Sequence, residues 1–156
     1  MAPEAEIFSK QIIYKESGRY MGWPTIVRTS AGELIIAFSG DRDSHICPYG
    51  KTEIVRSSDE GKTWSGPFIV RNTPLDDRDA GLVETPEGSL IVAWFTGFES
   101  ENNPDYKDHA KTITQEDKDR WLGHWTQRST DSGVTWEEPV RTVGSTPHGP
   151  IVNDAG

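Results

Sequence analysis

The sequence predicts an all-β fold made of repeated four-stranded units, and three observations carry that expectation. Aromatic residues make up 10% of the 156 residues, with six Trp, while the hydrophobic total is only 33%. Burial must then come from many short segments rather than from a few long helices. The octapeptide SSDEGKTW at 57–64 returns as STDSGVTW at 129–136, with Ser, Asp, Gly, Thr and Trp in the same places. A second element, VRTSAGELIIAF at 27–38, returns as VETPEGSLIVAW at 83–94, in the same order along the chain.

Each unit opens with a short apolar strand, turns at a Gly into a second, and crosses a variable loop to a third. The octapeptide then leads to a fourth. The first unit is expected to place its strands at roughly 24–29, 33–39, 52–57 and 67–71, and the second at roughly 80–85, 89–96, 123–129 and 138–143. A long polar insertion at 97–122, charged enough to be a helix candidate, explains why the octapeptides lie 72 residues apart and the hairpins only 56. The final PHGPIVNDAG matches the opening of a unit, with Ile151 and Val152 in the places of Ile26 and Val27.

Four-stranded units repeated along a chain are the signature of a β-propeller, which needs typically four to eight blades. The expected organisation is a lead-in at 1–19, a blade at 20–72, a blade at 73–144 and a truncated third blade at 145–156. Two blades and the start of a third leave blade faces uncovered. The chain is therefore expected to be part of a longer protein, or to close its ring with other copies.

Net charge is −9, and no Lys/Arg cluster exceeds a pair, so nucleic acid is not an expected partner. A local group of cations can still attract an anion within a screening length of about 10 Å, so an acidic glycan remains compatible with the charge. Cys47 is the sole cysteine and is expected to be a packed thiol. No apolar run of signal-peptide or membrane-span length occurs, so the chain is read as soluble, with its compartment left open and a periplasmic or secreted parent compatible with it. No phosphate-binding loop, zinc-spaced Cys/His set or nucleophile elbow appears, so no metal and no cofactor is expected.

Two near-complete copies of S-x-D-x-G-x-T-W, each followed by a strand, together with IVRTSAGELIIAFSGDRDS before the first, resemble the Asp-box or bacterial neuraminidase (BNR) repeats of the sialidase superfamily. The resemblance covers about residues 20–156. It implies a six- or seven-bladed propeller and glycoside hydrolase activity in carbohydrate metabolism. Physically, Asp59 and Asp131 suit tight turns because a carboxylate accepts from nearby backbone N–H groups, while Gly61 and Gly133 can take positive φ. Ser57, Thr63 and Trp64, with Ser129, Thr135 and Trp136, complete two structural turns that are not expected to be catalytic.

Alternating strand direction puts the hairpins and octapeptides on one face of the propeller. The other face then carries the polar, variable segments expected of a site. These are Arg19, Tyr20 and Trp23, the loop GDRDSHICPYGK at 40–51, the linker TPLDDRDAG at 73–81, the insertion 97–122, and STPHGP at 145–150. Asp43, His45, Tyr49 and His148 are the candidate catalytic residues, because acid, base and cation coincide there. Arg19, Trp23, Asp41, Arg42, Arg78 and Asp79 are the candidate substrate-binding residues. The linker carboxylates are expected to ion-pair among themselves, His109 to lie on a solvated surface, and His124 and Trp125 to be packed.

In the sialidases an Arg precedes the first inner strand and helps clamp the sugar carboxylate, whereas here MGWPTIV puts Gly22 in its place. Arg42 and Asp43 match the region where the family's site continues, with Asp41 or Asp43 standing for the acid/base carboxylate. The nucleophilic Tyr and its Glu partner come from later blades in that family. Three readings follow: a sialidase-like hydrolase acting on acidic glycans; a uronate-directed lyase or glycosidase on the same propeller, using Arg42, His45, Tyr49 and His148; and a non-catalytic glycan-binding propeller piece, in which Trp23 and Tyr49 stack on sugar rings.

Overall fold

The computed structural model describes residues 6–142. The expected third blade and His148 lie outside the described residues. Two four-stranded antiparallel sheets form, one per repeat, with their strands in sequence order. The first holds β1 (Tyr20–Arg28), β2 (Leu34–Arg42), β3 (Lys51–Ser57) and β4 (Phe68–Arg71). The second holds β5 (Asp76–Glu84), β6 (Leu90–Gly97), β7 (Gly123–Ser129) and β8 (Val140–Arg141).

The two blades keep the same hairpin register at the 56-residue spacing of the repeat. Thr25 faces Ala37 and Arg28 faces Leu34, and in the second sheet Gly81 faces Ala93 and Glu84 faces Leu90. Both hairpins close alike, with the N–H groups of Thr29 and Thr85 donating to the carbonyls of Glu33 and Ser89 at 2.8 Å.

β2 reads LIIAF rather than alternating because both of its faces are covered. Ile35 and Ala37 join Ile54 against Ala80, Leu82, Leu90, Val92, Trp94 and Trp125 of the second sheet. Ile36, Phe38 and Val55 point the other way and pack with Tyr14, Met21 and Trp64. A strand buried on both sides loses the polar alternation of a half-solvated one.

Two strand starts differ from the sequence expectation. β1 begins at Tyr20 and β5 at Asp76, each several residues early, so most of the charged stretch 73–81 is inner strand rather than linker. Asp76 and Asp77 tolerate this burial because each has a charged or polar partner beyond the stretch, Arg42 and Thr96 respectively. Asp77 accepts from the Thr73 N–H at 2.6 Å and from the Thr96 hydroxyl at 2.6 Å, while Asp76 pairs with Arg42. Within the stretch, Arg78 keeps a long contact of 3.7 Å with Asp76. β8 is shorter than expected, at two residues.

Each octapeptide folds as the same turn. Ser57 Oγ accepts from the Gly61 N–H at 2.8 Å, and Asp59 accepts from the Thr63 N–H at 2.9 Å and the Thr63 hydroxyl at 2.6 Å. The second copy repeats these bonds at 2.7, 2.8 and 2.5 Å. Glu60 and Gly61, like Ser132 and Gly133, have φ between 60° and 79°, which the glycine adopts without steric cost. These hydrogen bonds to the charged form hold both Asp carboxyls down at about 2, the Thr hydroxyl being the largest cause.

The insertion is helical in short pieces: single 3-10 turns at Glu99–Asn102 and Pro104–Tyr106, then α1 (Lys107–Ala110) and α2 (Gln115–Trp121). Thr114 and Asp117 form a reciprocal cap at the start of α2. α2 is fastened at its end by Trp121, which lies under the Arg71 guanidinium at 4.2 Å and accepts at its carbonyl from the Trp125 indole at 2.7 Å. Arg71 belongs to the first sheet and Trp125 to the second, so the insertion braces both blades. Among the described residues no helix is long and apolar enough to cross a membrane.

Candidate functional site

Strand direction gathers the loop after β2, the segment before β5 and the insertion at one end of the two sheets, opposite the octapeptides. A cleft of about 540 Å³ opens there. Its walls come from Arg19 at the end of the lead-in, Asp41, Asp43, Tyr49 and Lys51 around the β2–β3 loop, Thr73 and Pro74 before β5, and His109 of α1.

The charges in this cleft are ordered. Arg19 pairs with Asp41 at 3.1 Å and with Asp43 at 2.5 Å, and Lys51 also pairs with Asp41. One carboxylate thus sits between two cations, while Asp43 extends the chain of pairs toward solvent. Asp41 has a φ of 50°, an uncommon conformation for a residue with a side chain, and it turns β2 into the loop.

His109 is a correction to the sequence reading. It lies half-buried in the cleft wall rather than on a solvated surface, with its ring edge-on to Tyr49 at 5.3 Å. Tyr106, one helical turn earlier, also packs on Tyr49 at 5.9 Å and hydrogen-bonds Ser44 through its hydroxyl at 3.2 Å. Desolvation lowers the His109 pKa, partly countered by a hydrogen bond to the Pro74 backbone. The signal in the sequence was the i, i+3 pair Tyr106 and His109, which a helix puts on one face. It was hidden by Asp, Lys and Glu on every side.

Arg42 is placed inside the fold instead of on the cleft surface. Its side chain is 0% exposed, and it pairs with Asp76 at 2.7 Å and donates to the His45 carbonyl at 2.8 Å. Contact with a substrate would strip a charge from a fully buried partner, so the guanidinium shapes the loop and does not line the cleft. Cys47 is buried beside it, as the residue count suggested, and its sulfur accepts from the Asp43 N–H at 3.3 Å.

His45 is exposed but turns away from Tyr49, toward Trp23 at 4.9 Å and Tyr20 at 6.5 Å. Arg78 is nearly buried, pairing with Glu99 at 2.9 Å and lying over Phe95 at 4.7 Å. Asp79 lies at the seam between sheets, where its N–H donates to Ser39 Oγ at 2.9 Å. Trp125 is buried and His124 packs beside Phe95 at 5.8 Å. The structure therefore brings Arg19, Asp41, Asp43 and Tyr49 together, adds Lys51 and His109, and separates His45, Arg78 and Asp79 from them. Among the described residues no group of three His, Cys, Asp or Glu is placed to hold a metal ion.

No known protein family matches the chain, and no curated protein is similar to it in sequence. Solved structures are similar in fold. A Dyadobacter fermentans protein of unknown function superimposes with a TM-score of 0.63 at 23% identity, over 83% of this chain and 38% of its own. The Hadza microbial sialidase Hz136 gives 0.60 at 20% identity, over 78% and 25%. An ulvan lyase of polysaccharide lyase family PL25 gives 0.46 at 15% identity, over 76% and 24%. The chain thus spans between a quarter and two fifths of the proteins it resembles. At these identities the likeness is one of fold. The fold is a β-propeller, of which the described residues make two blades of an unclosed ring.

Proposed function

We propose that the chain supplies one sector of the active site of a propeller enzyme that cleaves acidic glycans, with the cleft at Tyr49 and His109 as its part of that site. The observation that carries this reading is the convergence of two cations, two carboxylates, a phenol and a low-pKa imidazole on one open cleft. Arg19 and Lys51 are the cations an acidic sugar would engage, in exchange for part of their pairing with Asp41 and Asp43. The first reading is sialidase-like hydrolysis, in which Asp43 exchanges the proton of the glycosidic oxygen and Arg19 pairs with it. Sialidases depart from the two-carboxylate scheme, and the nucleophile comes from another blade.

The edge-on Tyr49–His109 pair favours a second reading, β-elimination at a uronate. Arg19 and Lys51 neutralise the carboxylate, and His109 takes the proton from C5. As the C5–H electrons form the C4=C5 double bond, the C4–O bond breaks and Tyr49 protonates the departing oxygen. His109 takes here the role that sequence reasoning gave to His45 or His148, and Arg19 that of Arg42.

Assays of the protein on a fluorogenic sialoside and on uronate polysaccharides separate the two. Release of the fluorophore supports hydrolysis, and growth of unsaturated-uronate absorbance supports elimination. Binding of uronate without either product leaves a glycan-binding propeller.

A further inference from the structure

The first strands of the two blades can be compared position by position at the 56-residue spacing of the repeat, which sets Tyr20, Gly22 and Trp23 against Asp76, Arg78 and Asp79. The backbone agrees with that match. Trp23 has φ 51° and Asp79 φ 57°, and each lies at a break in register, between Gly22 and Thr25 in β1 and between Arg78 and Gly81 in β5. A left-handed non-glycine residue in an inner strand is uncommon, and such outliers concentrate at functional positions.

What surrounds the bulge differs between blades. In the second, Arg78 reaches Asp76 and Glu99, so the position is ionic. In the first, the pair is replaced by a ring laid on a glycine. A Cβ at Gly22 would lie 3.1 Å from Tyr20 Cε1 and 3.4 Å from its hydroxyl, so the phenol fills the space a side chain there would need. Tyr20 also stands 5.9 Å from Trp23, and His45 packs edge-on to both. Beneath Trp23 the buried Arg42 guanidinium lies 5.4 Å from the indole and steadies it. Tyr20 remains 40% exposed and His45 is exposed, so the three rings present an accessible, pre-arranged aromatic surface. It adjoins the cleft, because Arg19 precedes Tyr20 and Asp43 lies in the same loop as His45.

We propose that Tyr20, Trp23 and His45 form a stacking subsite for the apolar face of a neutral hexopyranose, so that the substrate is an oligosaccharide in which a neutral sugar adjoins the acidic one. The acidic half of that statement rests on the reading of the cleft given above; the aromatic half does not. Rings held by edge-to-face packing lose little freedom when a ligand docks, and an aromatic face with polar edges suits a sugar.

The test titrates the protein with three probes: glucuronic acid, cellobiose, and a disaccharide of glucuronic acid linked to glucose. The expected result is that cellobiose moves the NMR signals of the Trp23 indole and the His45 ring. The mixed disaccharide should bind more tightly than glucuronic acid, and Tyr20→Ala or His45→Ala should lower its affinity roughly 3- to 10-fold, leaving glucuronic acid binding unchanged. Tyr20→Phe, which keeps the ring, should retain the tighter binding. Gly22→Arg, which must displace the phenol, should behave like Tyr20→Ala. The proposal is overturned if cellobiose leaves both signals in place, or if the Ala variants bind the mixed disaccharide like the parent. If glucuronic acid does not bind while cellobiose still moves both rings, the acidic reading of the cleft falls and the aromatic subsite stands.

Discussion

Arg42 and Asp76 form a two-pronged ion pair, at 2.7 and 3.0 Å, with neither side chain exposed, and it ties the end of β2 in one blade to the start of β5 in the next. Burial raises the Asp76 pKa while the guanidinium pulls it back. Removing one partner leaves a charge in the interior with no route to water. Asp76→Ala should therefore destabilise the fold by about 3–5 kcal/mol, read as a fall in the urea midpoint. Combining it with Arg42→Met should recover part of the loss, and a coupling energy near zero in the double-mutant cycle would show that the pair does not join the blades.

Glu53 gives the fold a pH dependence of unusual sign. It lies in β3, 5% exposed, and burial lifts its carboxyl to about 7, with Lys51 opposing and Asp41 and Glu16 adding to the rise. Asp77 is lifted to about 6 for the same reason. A carboxyl raised on folding binds more protons in the native state, so stability is full below its unfolded value and falls as pH rises through the native one. Stability should decline between about pH 4.5 and 7. Glu53→Gln should remove much of that decline, raising stability by on the order of 2 kcal/mol at pH 8 with little effect at pH 4. Equal Tm gains at both pH values would show that the carboxyl is not desolvated.

The two octapeptide carboxylates act in the opposite direction. Asp59 and Asp131 are both held at about 2, so their contribution is present above the unfolded value and is lost as pH falls from about 4 through 2. Asp59→Asn and Asp131→Asn should each lower Tm at pH 7, and their melting curves should converge on the parent near pH 2. Taken with Glu53 and Asp77, this puts the stability maximum at about pH 4–5. A maximum above neutrality in a Tm–pH series would contradict the raised Glu53 and Asp77 carboxyls.

The fold was legible because its devices are local and repeated. Ser57, Asp59, Gly61 and Thr63 close their turn among themselves, and the same residues at 129–135 do so again, so the pattern survives without knowledge of the neighbouring blade. Strand starts were less legible, since Asp76 and Asp77 look like linker residues until Arg42, Thr73 and Thr96 supply their partners. The site was legible only by face. The loop 40–51 was located, but its members were sorted by contacts from other segments: Asp76 draws Arg42 inward, Trp23 draws His45 aside, and α1 brings His109 onto Tyr49. Each of those contacts joins segments that composition treats as unrelated.

His109 is where the site reading is most exposed to test. Desolvation lowers its pKa from the ordinary histidine value, so the ring is neutral at pH 7 and able to accept a proton. If it is the base, activity on a uronate substrate should fall on the acid side as the imidazole becomes protonated, with the midpoint below an ordinary histidine's. His109→Gln should lower kcat by roughly 10²–10⁴ and abolish that acid limb, while Tyr106→Phe, one turn away, should leave the limb in place. A histidine that merely supports Tyr49 would instead raise KM and keep the profile. An unchanged acid limb in His109→Gln would therefore show that His109 is not the base.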